Sequence, residues 1–284
     1  MEKSEIIGTI EKFKRWLNGE RKSRYTVTEY SMLARDFLRF TGKVPSEIGY
    51  DDIEGYKAYL ALEKRYSKGS QYLCIKAVRS LFKCFGIDPP KNLTSPTRSK
   101  KVPVYLTEEE TRRLLNYSYS NIRDLAIVSI LVYTGIRVSE LCSLNIADVD
   151  LESGTLKVIS GKGDKDRITL MSNACISTLK EYMAIRQRAR SDSRALFLTY
   201  RMNRIDPSAV QRMISSASRE AGISKKVTPH VLRHTFATTI LRNGGDIRFI
   251  QKLLGDSSIA TTEIYTHIDE NTLRKMYEKF KPTY

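Results

Sequence analysis

Apolar positions recur at three-and-four spacing along most of the chain, the mark of amphipathic helices that bury one stripe. Four stripes come first, at about 4–18 (Ile6, Ile10, Phe13, Leu17), 26–41 (Tyr30, Leu33, Phe37, Phe40), 51–63 (Ile53, Tyr56, Leu60) and 69–85 (Tyr72, Ile75, Val78, Phe82). They predict a small all-helical domain. The pattern then lapses over GIDPPKNLTSPTRSKKVP, which carries four of the eight prolines (Pro89, Pro90, Pro96 and Pro103) and reads as an extended linker. The chain is thereby divided into a helical domain at 1–86, a basic proline-containing linker at 87–103 and a second domain at 104–284. In the second domain Thr107, followed by Glu108, Glu109 and Glu110, opens a helix with a capping side chain and three acids at the positive end of the helix dipole. An almost wholly apolar helix near 123–133 stops at Thr134-Gly135. The period then changes: residues 155–160 and 167–171 read as two strands joined by a six-residue connection containing Gly-Lys-Gly-Asp. From 173 to the end the pattern is helical again, closing with the stripe Leu273, Met276, Tyr277 and Phe280 on a helix at 270–281. The fold class expected is mainly α with a small β-hairpin or sheet (α+β), in two domains.

Composition narrows the function. The 284 residues suit two domains, and 48 Lys and Arg against 32 Asp and Glu leave a net charge of +16. Up to residue 95 there are 18 basic and 12 acidic residues, and after it 30 and 20, so neither part is neutral. A surplus spread over both folded parts suits a protein that holds a polyanion, nucleic acid first; the plainer reading is a merely soluble basic protein. No run approaches the roughly 18–20 apolar residues that span a bilayer. The N-terminal MEKSEIIGTIEKFKRW interleaves charge with its apolar positions, so neither a signal peptide nor a membrane anchor is expected. Cys74, Cys84, Cys142 and Cys175 form no CxxC pair and read as buried thiols of a reducing cytoplasm, not as a disulfide framework or a zinc site.

Three histidines, His230, His234 and His267, all lie in the last quarter. Pro229 fits the first turn of a helix capped by Thr228, which puts His230, Arg233 and His234 at three-and-four spacing on one face. A zinc reading of the two histidines lacks both the glutamate, since Val231 stands in its place, and a third ligand. For His234 the plainer reading is a packed or hydrogen-bonded helix histidine.

His230-x-x-Arg233-His234 with Thr235-Phe236-Ala237-Thr238 resembles the second signature box of the tyrosine recombinases, the phage integrase family. Thr134-Gly135-Ile136-Arg137-Val138-Ser139-Glu140-Leu141 resembles the first box, and Gly161-Lys162-Gly163-Asp164-Lys165-Asp166-Arg167 the hairpin that presents a lysine. Leu253-Leu254-Gly255 and then Thr261-Thr262-Glu263-Ile264-Tyr265-Thr266-His267 resemble the segment with the nucleophile. The four motifs stand in family order over 107–284, closest to the short archaeal Xer-type members. The resemblance implies a C-shaped, two-domain clamp on double-stranded DNA. Residues 1–86 would be a SAM-like core-binding domain, and Lys91, Arg98, Lys100 and Lys101 of the linker would track the backbone. It implies a homodimer on one site with inverted arms and a homotetramer on two sites, joined through the helix at 270–281, in the cytoplasm. The alternative for that helix is that its stripe packs on its own domain.

The chemistry fits the residue types. A phosphodiester resists attack because its oxygens are negative and its leaving group is poor, so catalysis without metal or other cofactor needs fixed cations, a nucleophile and a general acid. Arg137, set between Ile136 and Val138, is costly to leave unpaired: it clamps the phosphate or pairs with Glu140. Arg233 offers a second planar fork. By the resemblance, Lys162 is the general acid for the departing 5′-hydroxyl, where an isolated turn lysine would simply face solvent. Tyr265, one of 16 tyrosines, is selected as nucleophile by its position; a phenol with an ordinary pKa of about 10 needs His230 and the arginines near it. The product would be a 3′-phosphotyrosyl enzyme. Asp256 departs from the pattern, standing after Leu254-Gly255 where the family has histidine or tryptophan; it turns away, pairs with an arginine or orients a donor. His267 is expected to give support only. The leading expectation is a recombinase that resolves chromosome dimers at a dif-like site. A mobile-element integrase, a type IB topoisomerase and a non-catalytic DNA-binding protein of the same fold are the alternatives.

Overall fold

The four N-terminal stripes form helices α1 (Lys3–Gly19), α2 (Arg24–Thr41), α3 (Tyr50–Ala58) and α4 (Lys68–Cys84) of a computed structural model. The structure describes residues 3–97, 103–118, 120–159, 166–189, 191–255 and 270–284. These helices belong to the first of two compact units, Met1–Lys101 and Val102–Tyr284. Their ends follow local chemistry. The Ser23 hydroxyl accepts the Thr26 amide (3.1 Å) to start α2, Gly42 ends it at φ 65°, and Ser67 caps α4. A single π-helical turn, Tyr59–Glu63, completes α3. Phe13, Leu17, Phe37, Tyr56, Val78 and Leu81 meet in one core.

The chain after α4 has no regular structure as far as residue 97, yet its first half is fastened to the first unit. Leu93 is buried in that unit's core, and its carbonyl accepts the Arg79 guanidinium at 2.9 Å (Nε). The Asn92 amide donates to the Tyr50 carbonyl (3.0 Å) and to Glu54 (2.8 Å). Lys91 remains exposed. Arg98, Lys100 and Lys101 lie outside the described residues.

The second unit opens with α5 (Glu108–Ser118), where Thr107 and Glu110 bond each other's backbone amides at 3.2 and 2.7 Å, a reciprocal capping box. Helix α6 (Ile122–Thr134) is buried on every side from Leu125 to Thr134, as its apolar composition requires, and forms the centre of the larger core. A short α7 (Val138–Ser143) follows. The strand period is realised as β1 (Val149–Asp150), β2 (Thr155–Val158) and β3 (Arg167–Leu170), an antiparallel sheet in that order with Val149 opposite Leu156 and Leu156 opposite Thr169. Two residues of β1 are too few to leave a period in the sequence. Helices α8 (Asn173–Arg188), α9 (Pro207–Glu220), α10 (Pro229–Arg242), α11 (Ile247–Leu254) and α12 (Glu270–Phe280) complete the unit.

The expectation of unbroken helical pattern after 173 fails between α8 and α9. The apolar run Ala195-Leu196-Phe197-Leu198 is buried as extended chain, bridging Asn145 to Ala195 and Leu198 to Arg204. Two of its carbonyls are met from α8, by buried Arg186 at Ala195 (3.0 Å) and the Tyr182 hydroxyl at Leu196 (2.9 Å), while Phe197 accepts the Ile205 amide (3.1 Å) and Leu198 accepts Arg123 (3.2 Å).

The stripe of α12 lies on its own unit. Tyr277 is 1% exposed among Phe236, Phe249 and Leu253, and its hydroxyl donates to the Tyr133 carbonyl at 2.9 Å. Met276 and Phe280 pack beside it, while the Leu273 side chain is not among those described. Cys74, Cys142 and Cys175 are buried as expected, whereas Cys84, expected buried too, is half-buried near the end of α4. Burial pushes the Cys142 thiol up to about 12. Among the described residues no helix is long and apolar enough to cross a membrane. Tyr277→Ala should cost about 3–5 kcal/mol of unfolding free energy, as for other large-to-small changes in a full core. Urea unfolding of the variant checks this, and a loss under about 1 kcal/mol would mean that α12 is not part of the fold.

Candidate active site

The site is built on a glycine that stops α6. Gly135 takes φ 64°, and a Cβ there would stand 2.5 Å from the Phe236 ring and 2.8 Å from Leu254. The turn after α6 therefore closes directly against α10 and the end of α11, and a residue larger than glycine would hold the three apart. This contact turns the Gly135 carbonyl to Arg233, whose Nη1 donates to it at 2.8 Å. The Nη2 of Arg233 donates to the Leu254 carbonyl at 3.1 Å. Arg233 is 8% exposed, and these two bonds tie its guanidinium to the backbone of two other segments.

Two residues beyond Gly135, Arg137 occupies the N-cap of α7. Its backbone amide donates to Oε2 of Glu140 (2.7 Å) and its Nη1 to Oε1 (3.1 Å), so the pairing considered as the alternative for Arg137 is present. Glu140 has a second cation. Arg167, the first residue of β3, meets it with both terminal nitrogens, Nη1 to Oε1 and Nη2 to Oε2, each at 2.9 Å. The Nε of Arg167 donates to the Leu253 carbonyl (3.1 Å). Gly255 ends α11 at φ 66°, where a Cβ would fall 2.9 Å from Cδ of Arg167. Side-chain exposure is 9% for Arg167, 7% for Glu140 and 31% for Arg137. The outermost of the three is the one that reaches solvent.

Burial pushes the Glu140 carboxyl up, but the hydrogen bonds from Arg167 and from the Arg137 backbone amide, with both positive charges, outweigh it and hold it below the usual carboxylate range.

His230 stands in the first turn of α10, which begins at Pro229 with the Thr228 hydroxyl accepting the Val231 amide (3.3 Å), as its sequence predicts. His230 and His234 are exposed while Arg233 between them faces inward, so His234 is not the packed histidine expected. The inward side of α10 is taken by Leu232, Phe236 and Ile240, and the i,i+4 pair falls on the other side. No group of three His, Cys, Asp or Glu residues that could hold a metal occurs among the described residues.

The structure thus ties Arg233 to the turn that leads into Arg137, through the Gly135 carbonyl, with His230 one helical turn from Arg233. Lys162, Asp256, Tyr265 and His267 lie outside the described residues. The segments that carry them nevertheless leave from this web: Arg167 follows the connection with Lys162, and Gly255 immediately precedes Asp256. The sequence reading did not find Arg167 or the carbonyls of Gly135 and Leu254. The available signal was an arginine opening a strand whose pattern is otherwise largely apolar.

Family models match most of the chain: "Phage integrase family" over residues 104–272 and "Phage integrase, N-terminal SAM-like domain" over residues 10–87. Tyrosine recombinase XerA of Pyrococcus furiosus is 37% identical, covering 95% of this chain and 93% of that protein. Tyrosine recombinase XerC of Thermodesulfovibrio yellowstonii is 34% identical over 92% and 91%. A crystal structure of XerA recombinase is 52% identical, with a TM-score of 0.55, over 98% of this chain and 100% of that one. XerH recombinase bound to its difH substrate shares the fold at 22% identity, with a TM-score of 0.71 over 94% and 82%.

Because the carboxyl of Glu140 is lowered in the folded state, its contribution to stability is complete above the ordinary value of 4.5 and is lost as pH falls through the folded value. The stability gap between the native chain and Glu140→Gln should therefore be full at pH 6 and close progressively below about pH 4.5 in urea unfolding. A gap unchanged at pH 3 would show that the carboxylate charge contributes nothing.

Proposed function

The chain belongs to the phage integrase family, the tyrosine recombinases that cleave and rejoin DNA, and we propose that it does so through a 3′-phosphotyrosyl link to Tyr265. It is a recombinase of the Xer type. The observation that carries the mechanism is the seat of Arg233, where the two signature boxes and the end of α11 are joined by hydrogen bonds from one guanidinium.

In this reading Arg137 and Arg233 hold the two non-bridging oxygens of the scissile phosphate. As attack proceeds, charge on those oxygens grows, and donors already held in place, Arg233 by backbone carbonyls and Arg137 beside Glu140, need little reorganisation to meet it. Tyr265 Oη attacks phosphorus, and the bond to the 5′-oxygen breaks. Lys162 gives its proton to that oxygen, and His230, exposed in the first turn of α10, takes the proton that the phenol loses as it attacks. The phosphoester energy stays in the covalent link, so a second 5′-hydroxyl can reverse the step. Asp256 acts as an acceptor that orients one of the donors, and His267 supports the segment.

The target is a dif-like site with inverted arms, and the role is resolution of chromosome dimers in the cytoplasm. The similarity to XerA and XerC along nearly their whole length supports this reading. The basic surplus of both parts supports a clamp of the 1–86 and 104–284 domains around the duplex, with Lys91, Arg98, Lys100 and Lys101 along the backbone between them. One site takes a homodimer and two sites a homotetramer. In the tetramer the pocket that Tyr277 fills on its own unit receives the α12 of a neighbouring protomer.

Tyr265→Phe should bind the site normally and form no protein–DNA adduct on a nicked suicide substrate, where the native chain accumulates one. An undiminished adduct yield from this variant contradicts the assignment.

A further inference from the structure

We propose that a groove at the end of α6 far from Gly135 is a docking surface for a partner protein, held through an acidic segment that carries one large apolar side chain. Helix α6 runs 13 residues from this groove to the Gly135 turn, about 20 Å at the usual rise of an α-helix. The surface is therefore separate from the site of cleavage, and the inference does not depend on the reading of that site.

The groove has a volume of about 480 Å³, in the range of clefts that hold ligand groups. Ile205, Ala209 and Met213 give it apolar surface, and Tyr117 and Tyr200 line it with rings that are 43% and 81% exposed. Despite its exposure, Tyr200 is held. The Arg123 guanidinium lies over its ring, 4.6 Å from the centroid, and the Asn121 amide donates to its hydroxyl at 3.4 Å. Arg123 is itself fixed, by Asp124 through Nε (2.9 Å) and Nη2 (2.8 Å) and by the Leu198 carbonyl (3.2 Å). Tyr200 enters a turn in which Met202 takes φ 59°, the left-handed region that is strained for such a side chain, and the Thr199 amide closes the turn on the Asn203 carbonyl at 2.7 Å. A solvent-facing ring is thus kept in one place, and a ring fixed in advance loses little freedom when a partner covers it.

Charge selects the partner. Among the described residues that line the groove Asp124 is the one acid, and Arg123 takes it. Arg212 of α9 lines the same groove, is exposed, and makes no hydrogen bond or ion pair among the described residues. The groove thus offers a cation with no competing anion, on a chain of net charge +16. A second copy of this chain would bring the same charge and be repelled. Duplex DNA has phosphates for Arg212 but no side chain to cover the apolar surface beside the tyrosines. An acidic segment with an aromatic or large aliphatic side chain meets both demands: a carboxylate for Arg212, and an apolar group for Ala209, Met213 and the rings. Tyrosine and arginine are also the residues that dominate binding energy where proteins meet.

The test uses the full chain and a fluorescein-labelled peptide, Asp-Glu-Phe-Asp-Asp, followed by fluorescence anisotropy at about 0.15 M salt, where distant charges are screened. The expected result is saturable binding that weakens about tenfold or more when serine replaces the peptide's phenylalanine, the effect of exposing one aromatic side chain. Arg212→Glu and Tyr200→Ala should each weaken it by a similar factor. Lys180→Glu, an exposed position on α8 outside the groove, should change it by less than about twofold. A benzophenone in place of the peptide's phenyl ring should attach on irradiation to segments containing Tyr117, Tyr200 or Met213. Thermal unfolding checks that each variant is folded, and if Tyr200→Ala is not, Arg212→Glu decides by the same rule. Absence of saturable binding, equal affinity for the two peptides, or equal losses from Arg212→Glu and Lys180→Glu would reduce the effect to the general pull of a basic protein and overturn the proposal. Should Arg212→Glu spare the peptide but weaken binding of duplex DNA, the groove belongs to DNA and the proposal is equally refuted.

Discussion

A carboxylate buried between two guanidinium groups is the interaction on which the geometry of the catalytic unit depends. Glu140 would be expensive to bury alone, and so would Arg167; together, with four hydrogen bonds to the carboxylate, they hold α7, β3 and the end of α11 in one place. Arg233 completes the set through backbone carbonyls. Both arginines of the signature boxes are thus held in place by contacts within this unit.

Two close approaches make this possible. Gly135 and Gly255 both take positive φ, and both stand where a Cβ would strike a neighbour: Phe236 and Leu254 in the first case, Arg167 in the second. Each glycine brings a carbonyl-bearing turn within hydrogen-bond reach of an arginine.

Much of this was legible in the sequence, for identifiable reasons. Helix stripes, the Thr107 and Thr228 caps and the stop at Thr134-Gly135 are local signals, set by spacing and by side chains a few residues away, and they appear where the pattern puts them. Arg137, His230 and Arg233 were legible because their motifs stand in a recognisable order. What was not legible depends on contacts distant in sequence. The partner of Arg233 is the carbonyl of Gly135, 98 residues earlier, and that of Arg167 is a glutamate 27 residues earlier. The fastening of Leu93 and Asn92 to α4 and α3 is hidden in the same way, because a proline-containing stretch carries no period to show that one leucine is core.

The most direct test of this account is to map the covalent adduct. After reaction with a nicked suicide substrate, protease and nuclease digestion followed by mass spectrometry should place a 3′-linked nucleotide on the peptide containing Tyr265 and on no other tyrosine peptide. Substitution of Arg233 by alanine should abolish that species while leaving the protein able to bind its site. A nucleotide found on a different tyrosine, or cleavage without any covalent species, would contradict the account.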